Sequence, residues 1–380
     1  MLIIADLKTA FAREAFERLG EVRYLRTPEI TAAAIRDAEI IIIRSETKVG
    51  SDLLEGTAVR FVGTATIGFD HVDIDYLRRK GIGFANAPGS NANSVAEYVV
   101  AALLEYAHRR SFALAGKSIG IVGVGNVGSK VARNAEALGM RVLLNDPPLA
   151  SVTHNPEFLP LEALMEADFL TLHVPLTKEG PWPTFHLFDG QRIGQMKDRS
   201  VLINTARGAV VETRSLKVAL LDGQLEGAIL DVWEDEPAID GGLLGLVDIG
   251  TPHIAGFSLD GKINAGRMLF DAACRHFGID AAWKEIQNLP PPQDEHLSVP
   301  DNMSMDEILR VTIRRCYNIL DDDSNLRAVL SQPASERPRT FRALRADYGL
   351  RREFFNYSVT CSGSRPELCR ILNALGFKIL

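Results

Sequence analysis

The chain has few cysteines and no long apolar run. Its 380 residues include four cysteines, all in the C-terminal third: Cys274, Cys316, Cys361 and Cys369. None has the close paired spacing of metal ligands, so we expect reduced, mostly buried thiols and no metal site. No apolar run approaches the roughly 20 residues of a membrane span, and residues 1–6 resemble a strand rather than a targeting segment. We therefore expect a cytoplasmic protein that does not bind membranes.

Positive charge is also scarce. Lysine and arginine number 42 against 49 aspartate and glutamate residues, which gives a net charge of -7. Binding of nucleic acid depends on clustered lysine and arginine, so we expect no nucleic-acid partner. The hydrophobic share of 46% is typical of a globular enzyme. A chain of this length predicts two or three domains.

Short apolar runs alternate with helical patterns over the first 280 residues, which predicts an α/β fold with parallel sheets. The runs predict strands buried on both faces at 2–5, 40–43, 61–63, 83–86, 118–122, 141–145, 169–172, 201–204 and 228–231. Helical patterns between them cover 10–19, 94–109 and 128–138. The helix over 94–109 has Asn93 or Ser94 as its predicted N-cap.

The sequence pattern changes beyond residue 285. Residues 288–292, Asn-Leu-Pro-Pro-Pro, are typical of a stiff linker. After it we predict helices over 305–320 and 339–348, followed by a strand, a helix and a strand at 355–361, 366–375 and 377–380. This region is predicted to be a separate small α+β domain.

A glycine-rich turn joins the predicted strand 118–122 to the helix that follows. The pattern is Gly123-Val124-Gly125-Asn126-Val127-Gly128, and Asp146 ends the next strand, 18 residues beyond Gly128. Such a turn brings backbone amides and a helix N-terminus to a pyrophosphate. A carboxylate at Asp146 would bind the ribose hydroxyls of NAD and repel the 2′-phosphate of NADP. The pattern predicts a dinucleotide site that prefers NAD.

Three further motifs are each expected near the carboxyl end of a strand, where open parallel sheets bind ligands. They contain Arg207 (residues 203–208), an acidic group before Pro237 (231–237) and His253 (251–256). A histidine can take an alcohol proton near neutral pH, and an arginine fork matches a 2-hydroxy acid. Seven other histidines have no such setting and are interpreted as surface or packing residues: His71, His108, His154, His173, His186, His276 and His296.

The order GxGxxG, Asp, ARG, EP and PHIAG resembles the D-isomer-specific 2-hydroxyacid dehydrogenases over about residues 1–280. The resemblance implies that Arg207 binds the substrate carboxylate and carbonyl oxygen, that His253 is the acid/base, and that Glu236 pairs with it. Glu234 and Asp235 are rivals to Glu236, but the family places its acid directly before proline. It also implies further cofactor contacts from Asn126, Val127, Pro175, Ala206, Gly208, Asp231 and Gly256.

The same resemblance implies the architecture. We expect two Rossmann-like or flavodoxin-like parallel-sheet domains and a small C-terminal α+β domain. Residues 1–93 with 255–285 would bind substrate, 94–254 would bind NAD, and 286–380 would form a homodimer.

The stretches RSETKV (44–49), TATIGFDHVD (64–73) and HIAGFSLDGK (253–262) resemble one subgroup that acts on a phosphorylated four-carbon hydroxy acid. This implies that Ser45, Thr66 and Phe257 touch substrate, although Phe257 lacks the phenolic hydroxyl of the subgroup's tyrosine. Candidates for the phosphate contact are Arg44, Lys48 and one of six C-terminal arginines: Arg337, Arg339, Arg342, Arg345, Arg351 and Arg352. The alternative for these six is a solvated basic face or an interface that pairs with acids.

Two other functions remain open from the sequence. One is phosphoglycerate dehydrogenase, which shares the catalytic motifs. The other is a dinucleotide-sensing corepressor, which uses the same fold and acts through protein contacts.

Overall fold

The computed structural model describes residues 1–299, 303–361 and 365–380. The backbone divides into two compact units. The first comprises Met1–Asn91 and Ser258–Pro290, and the second comprises Ala92–Phe257 and Pro291–Leu380. Both large sheets contain only parallel neighbours among the described strands, which confirms the predicted α/β class. The predicted division into three domains stays a prediction.

The first unit is built on a five-stranded sheet. Its order is β2-β1-β3-β4-β5, with β1 (Leu2–Asp6), β2 (Glu21–Leu25), β3 (Ile40–Ile43), β4 (Phe61–Thr64) and β5 (Gly83–Ala85). All four residues of β3 are 0% exposed, as expected for a central parallel strand covered on both faces. The helices of this unit are α1 (Ala12–Phe16), α2 (Ser51–Leu54), α3 (Ile74–Lys80) and α11 (Leu259–Phe277).

The second unit contains a six-stranded sheet. Its order is β11-β10-β9-β8-β6-β7, with β6 (Ser118–Val122), β7 (Arg141–Asn145), β8 (Phe169–Leu172), β9 (Ser200–Asn204), β10 (Leu225–Leu230) and β11 (Ile249–Gly250). Strand order reverses between β6 and β8, and ligands bind at such a switch point. The helices are α4 (Ala92–Arg109), α5 (Gly128–Ala137), α6 (Pro147–Thr153), α7 (Leu161–Leu164), α8 (Gly190–Ile193), α9 (Thr213–Leu221) and α10 (Gly241–Leu246).

The C-terminal region belongs to the second unit and has a parallel three-stranded sheet of its own. The sheet consists of β12 (His296–Ser298), β13 (Ser358–Thr360) and β14 (Lys378–Ile379). Its helices are α12 (Met305–Cys316), α13 (Ile319–Ala328), α14 (Arg337–Ala346) and α15 (Pro366–Ala374). Helix α12 packs on α4, and buried residues of the C-terminal region share one apolar cluster with α4, α5 and β6. The C-terminal region therefore completes the core beside the six-stranded sheet.

Two predicted helix limits are wrong. The helix predicted over 305–320 ends at Cys316, because Tyr317 is extended (φ -150°, ψ 106°) and a second helix starts at Ile319. The helix predicted from Ser94 starts at Ala92, so Ser94 lies inside α4 and donates its hydroxyl to Glu353 instead of capping.

Other differences from the sequence predictions are smaller. Strands β2, β11 and β12 were not predicted, and α1 is shorter than the predicted 10–19. Cys274 is buried, whereas the other three cysteines are half-buried. In the parts of the chain that the structure describes, no helix is both long and apolar enough to cross a bilayer.

The shared core predicts that α12 contributes to the stability of the second unit. Ile308 lies on α12, is 0% exposed and belongs to the shared cluster. Replacing Ile308 with Ala leaves a cavity and should lower the free energy of unfolding by about 2–5 kcal/mol. Denaturant unfolding measures the change, with exposed Arg314→Ala on the same helix as the control. An unchanged midpoint for the Ile308 variant would contradict a shared core.

Candidate functional site

Three loops at the carboxyl edge of the six-stranded sheet carry the predicted catalytic residues. Arg207 follows β9, Glu236 follows β10 and His253 follows β11. These strands are neighbours in the sheet, in the order β11-β10-β9. Their loops therefore leave the sheet side by side, as expected for a ligand site in an open parallel sheet.

Glu236 and His253 are joined by a hydrogen bond between Oε1 and Nδ1. Burial of Glu236 favours its neutral acid, but the hydrogen bond and charge of His253, together with the charge of Arg345, outweigh burial and lower the pKa of Glu236. Glu236 therefore stays ionised and can stabilise an imidazolium. Because Nδ1 is engaged by the carboxylate, Nε2 is the ring nitrogen that can exchange a proton with a substrate.

The two rival acids do not reach His253 in the structure. Glu234 accepts hydrogen bonds from His186 Nε2 at 2.6 Å and from the backbone amide of Thr213 at 3.0 Å. Asp235 is exposed and has a left-handed backbone (φ 61°). Of the three acidic residues in this loop, Glu236 is the one that is bonded to the histidine.

The loop of Arg207 packs directly on the loop that contains Glu236. A Cβ atom on Gly208 would overlap the carbonyl group of Trp233, so this close approach requires glycine. The Arg207 side chain is half-buried and donates from Nη1 to the carbonyl oxygen of Ala206 at 2.7 Å. The side chain of Asn204 fixes the turn by donating to the Arg207 carbonyl oxygen at 2.9 Å.

Asp231 anchors the loop that contains His253. Its Oδ1 accepts hydrogen bonds from Thr251 Oγ1 at 2.7 Å and from the Ile254 amide at 2.8 Å, and its Oδ2 accepts one from the Ala255 amide at 2.9 Å. The Asp231 carbonyl oxygen accepts a further bond from the His253 amide at 2.7 Å. These bonds hold His253 in a left-handed backbone conformation (φ 58°) that is uncommon for a residue with a side chain. The predicted contact of Asp231 with the cofactor stays a prediction.

The C-terminal region holds the same loop from the other side. Arg351 is 4% exposed, donates from Nη1 to the Ala255 carbonyl oxygen at 3.1 Å, and lies over the Tyr317 ring with Cζ 3.9 Å from its centroid. Asp323 Oδ1 accepts from the Gly250 amide at 2.7 Å. Sequence reasoning missed this support, although the cluster of six arginines was a signal that the region carries unusual charge.

The glycine-rich turn has the geometry that a dinucleotide needs. A Cβ atom on Gly128 would overlap the Gly123 carbonyl oxygen, whereas one on Gly125 would meet no atom within 4 Å. Gly128 therefore permits close packing, and Gly125 leaves open space for a ligand beside the backbone. Helix α5 has no side-chain cap, so its N-terminus suits an anion. Asp146 lies next to this turn, since its Oδ2 accepts from the Val124 amide at 2.8 Å. These residues fit NAD.

In the first unit, Ser45 and Thr66 follow the neighbouring strands β3 and β4, so both lie at the carboxyl edge of that sheet. Ser45 is exposed. Thr66 Oγ1 is 2.7 Å from Thr64 Oγ1, and Thr64 Oγ1 is 3.1 Å from His71 Nε2. Sequence reasoning treated His71 as a surface or packing residue, but the structure bonds it to the threonine beside Thr66.

The six C-terminal arginines do not form one solvated face. Arg351 and Arg352 are buried at 4% and 7% exposure, and Arg337 donates to two backbone carbonyl oxygens. Arg339 and Arg342 are exposed. Arg345 lies over the ring of Phe257, with Cζ 5.8 Å from the ring centroid. The structure therefore brings Arg345, of the six, to a predicted substrate residue.

Comparisons with known families agree with this geometry. The model of the NAD-binding domain of D-isomer-specific 2-hydroxyacid dehydrogenases matches residues 91–255, and a domain of unknown function (DUF3410) matches residues 288–376. An erythronate-4-phosphate dehydrogenase of Chromohalobacter salexigens is 44% identical, with 100% of this chain and 99% of the relative covered. One of Cronobacter sakazakii is 43% identical, with 99% and 98% covered.

Solved structures extend the likeness to the fold. The D-lactate dehydrogenase of Aquifex aeolicus, complexed with NAD and lactic acid, has a TM-score of 0.59 and 28% identity, and covers 73% of this chain and 96% of its own. An NAD-dependent formate dehydrogenase of Staphylococcus aureus, in complex with NAD, has a TM-score of 0.58 and 27% identity, with 73% and 96% covered.

The fold and the site together define an NAD-dependent 2-hydroxyacid dehydrogenase. The chain belongs, within the D-isomer-specific 2-hydroxyacid dehydrogenases, to the erythronate-4-phosphate dehydrogenase family. These relatives do not favour the two alternatives, phosphoglycerate dehydrogenase and a corepressor.

The hydrogen bond to His253 distinguishes Glu236 from Glu234, the other glutamate in the same loop. Replacing Glu236 with Gln removes the charge that stabilises the imidazolium and should lower kcat by roughly 10²-fold or more. The matched control is Glu234→Gln, which changes an acid two residues away and should keep kcat close to that of the parent enzyme. Steady-state NADH formation measures both. Equal losses in the two variants would contradict the assignment of Glu236.

Proposed function

We propose that the chain oxidises 4-phospho-D-erythronate to 2-oxo-3-hydroxy-4-phosphobutanoate with NAD. This reaction belongs to the biosynthesis of pyridoxal 5′-phosphate (vitamin B6). The observation that carries the proposal is the bonded pair of Glu236 and His253 in a chain whose full-length relatives bear the name of this activity. The sequences around Ser45 and Thr66, which set the subgroup apart, support the same substrate.

The catalytic residues would act as an acid/base pair with a cationic clamp. Arg207 holds the substrate carboxylate and the oxygen on C2 with its planar fork. Nε2 of His253 takes the hydroxyl proton as the C2 hydrogen leaves with its electron pair, so that a carbonyl forms at C2. Glu236 stabilises the imidazolium produced by that proton transfer. When bound, NAD supplies the hydride acceptor. Ser45, Thr66 and Phe257 are proposed to contact the substrate.

The residues around the glycine-rich turn would hold the cofactor. Backbone amides from Gly123 to Gly128 and the N-terminus of α5 face the pyrophosphate, and Asp146 binds the adenosine ribose. Contacts from Pro175, Ala206, Gly208, Asp231 and Gly256 are proposed on the family's pattern.

A substrate panel tests the proposed function. NADH formation should have a kcat/KM with 4-phosphoerythronate roughly 10²-fold or more above that with 3-phosphoglycerate or glycerate, because a site built for the polar groups of one acid rejects another. A His253→Ala variant should lose about 10²–10⁴-fold in kcat, which ties the turnover to this site. A faster rate with 3-phosphoglycerate would replace the proposed substrate, and the absence of turnover with all three acids would remove it.

We also propose that the protein forms a homodimer through its C-terminal region and acts in the cytoplasm. Four large apolar side chains of that region are exposed: Met303, Leu350, Phe355 and Leu380, at 39%, 56%, 44% and 66%. Leu350 and Phe355 lie five residues apart in sequence, and a contiguous apolar patch on the surface is typical of a protein interface. They support a contact with a second copy.

Charge at these positions should weaken the dimer. Replacing Phe355 with Glu places a carboxylate in the proposed interface and should shift the protein towards monomer in sedimentation velocity. The control is Leu221→Glu, a leucine that is 67% exposed on α9, far along the chain from the C-terminal region. A Phe355 variant that keeps the parent's dimer would place the interface elsewhere, and a monomeric parent would overturn the dimer itself.

A further inference from the structure

Arg345 reaches the catalytic loops from the C-terminal region. It lies on α14, and its Cζ is 5.8 Å from the centroid of the Phe257 ring. Phe257 lies four residues after His253, and its amide donates to the Ile254 carbonyl oxygen at 2.7 Å. The charge of Arg345 is one of the influences that lower the pKa of Glu236 against the effect of burial. The guanidinium therefore acts on the carboxylate of the catalytic pair.

The Arg345 side chain has an unused hydrogen-bond donor among the residues that the structure describes. Its Nε is buried and has no partner among residues 1–299, 303–361 and 365–380. By contrast, Arg327 on α13 donates to Asp323 and to the carbonyl oxygens of Leu244 and Val247. A half-buried guanidinium with an unused donor has lost hydrogen bonds to water that the protein does not replace. An anion bound beside it would supply the missing hydrogen bond and an opposite charge.

The Phe257 ring lies beside this guanidinium. Tyr348 packs edge-on against the same ring, with 5.8 Å between centroids, and its hydroxyl donates to Asp322 Oδ2 at 2.9 Å. Phe257 is thus held from the C-terminal region and presents a flat face to Arg345. Stacking on an aromatic face leaves the N–H edges of a guanidinium available to an oxyanion.

Arg345 lies in a part of the chain that the model of the NAD-binding domain, which matches residues 91–255, does not include. The D-lactate dehydrogenase of Aquifex aeolicus is covered over 96% of its length, yet it leaves about a quarter of this chain unmatched. Arg345 falls in the segment 288–376, which has a family model of its own. A cation in this segment, Arg345, suits a second anionic group on the substrate in addition to the carboxylate.

We propose that Arg345 binds the phosphate of the substrate and sets the preference for a phosphorylated over an unphosphorylated hydroxy acid. This inference rests on the proposed function. Arg207 then serves the carboxylate, and Arg345 serves the second anionic end. A phosphate monoester carries a charge of about -1.5 to -2 at pH 7 and accepts bidentate hydrogen bonds from arginine.

The test compares Arg345→Gln with the parent on two substrates, 4-phosphoerythronate and erythronate. Loss of one hydrogen-bonded contact to a charged group should raise KM for the phosphorylated acid by roughly 10- to 100-fold. The KM for erythronate should stay close to the parent value. Arg345→Lys keeps the positive charge but not the planar guanidinium. Its KM for the phosphorylated acid should lie between the values of the parent and Arg345→Gln. Arg342→Gln, an exposed arginine on the same helix, is the matched control.

A binding measurement gives an independent readout. Inorganic phosphate should inhibit the parent competitively against 4-phosphoerythronate, and Arg345→Gln should weaken that inhibition. Unchanged KM for the phosphorylated acid, or equal losses with both acids, would overturn the proposal, since equal losses indicate a general effect on Phe257 or Glu236. If the parent prefers 3-phosphoglycerate, the proposed substrate is wrong, but the proposed role of Arg345 is not contradicted. The same variants are then compared on 3-phosphoglycerate and glycerate, and loss of the phosphate preference there still supports Arg345.

Discussion

The buried carboxylate of Asp231 is the constraint on which the rest of the site depends. It is 1% exposed and accepts hydrogen bonds from the amides of Ile254 and Ala255 and from the hydroxyl of Thr251. A carboxyl group buried this deeply needs hydrogen-bond partners within the protein, and these three donors supply them. Because these donors belong to the loop of His253, the requirement to solvate Asp231 also fixes the catalytic histidine. The orientation of the imidazole towards Glu236 follows from that loop geometry.

The C-terminal region adds to the same arrangement. Asp323 binds the Gly250 amide before His253, and Arg351 binds the Ala255 carbonyl oxygen after it. Both side chains are buried, so each bond replaces hydration that the group has lost. The region also shares the apolar core of α4 and β6. A segment that matches a domain of unknown function is therefore part of the catalytic unit of this chain.

Much of the fold could be predicted because buried parallel strands are continuous apolar runs. The predicted strands at 118–122, 141–145 and 169–172 coincide with β6, β7 and β8. Strand β2 was missed because it is an edge strand in which exposed charged residues interrupt the apolar ones. The helix that starts at Met305 has an apolar stripe that continues to Leu320, so its periodicity does not reveal the break at Tyr317. That break places the Tyr317 ring under Arg351.

The three positions proposed as catalytic stand out in the sequence because each lies in a short local motif. The structure pairs Glu236 with His253, as the motif next to proline indicates. The supporting contacts could not be predicted, since Arg351 and Ala255 are 96 residues apart and Asp323 and Gly250 are 73 apart. No local pattern relates such residues. The same holds for Arg345 and Phe257, whose proximity depends on how α14 packs.

The support of the histidine loop from both sides has a consequence for synthesis of the chain. Residues up to Phe257 contain every predicted catalytic residue, yet Arg351 follows His253 by 98 residues. At roughly 5–20 residues per second, translation needs about 5–20 s to add that stretch. During this interval the nascent chain contains Arg207, Glu236 and His253, but it lacks the hydrogen bond that Arg351 donates to the Ala255 carbonyl oxygen. The loop therefore gains this bond only after Arg351 has been synthesised, although the motifs are complete well before.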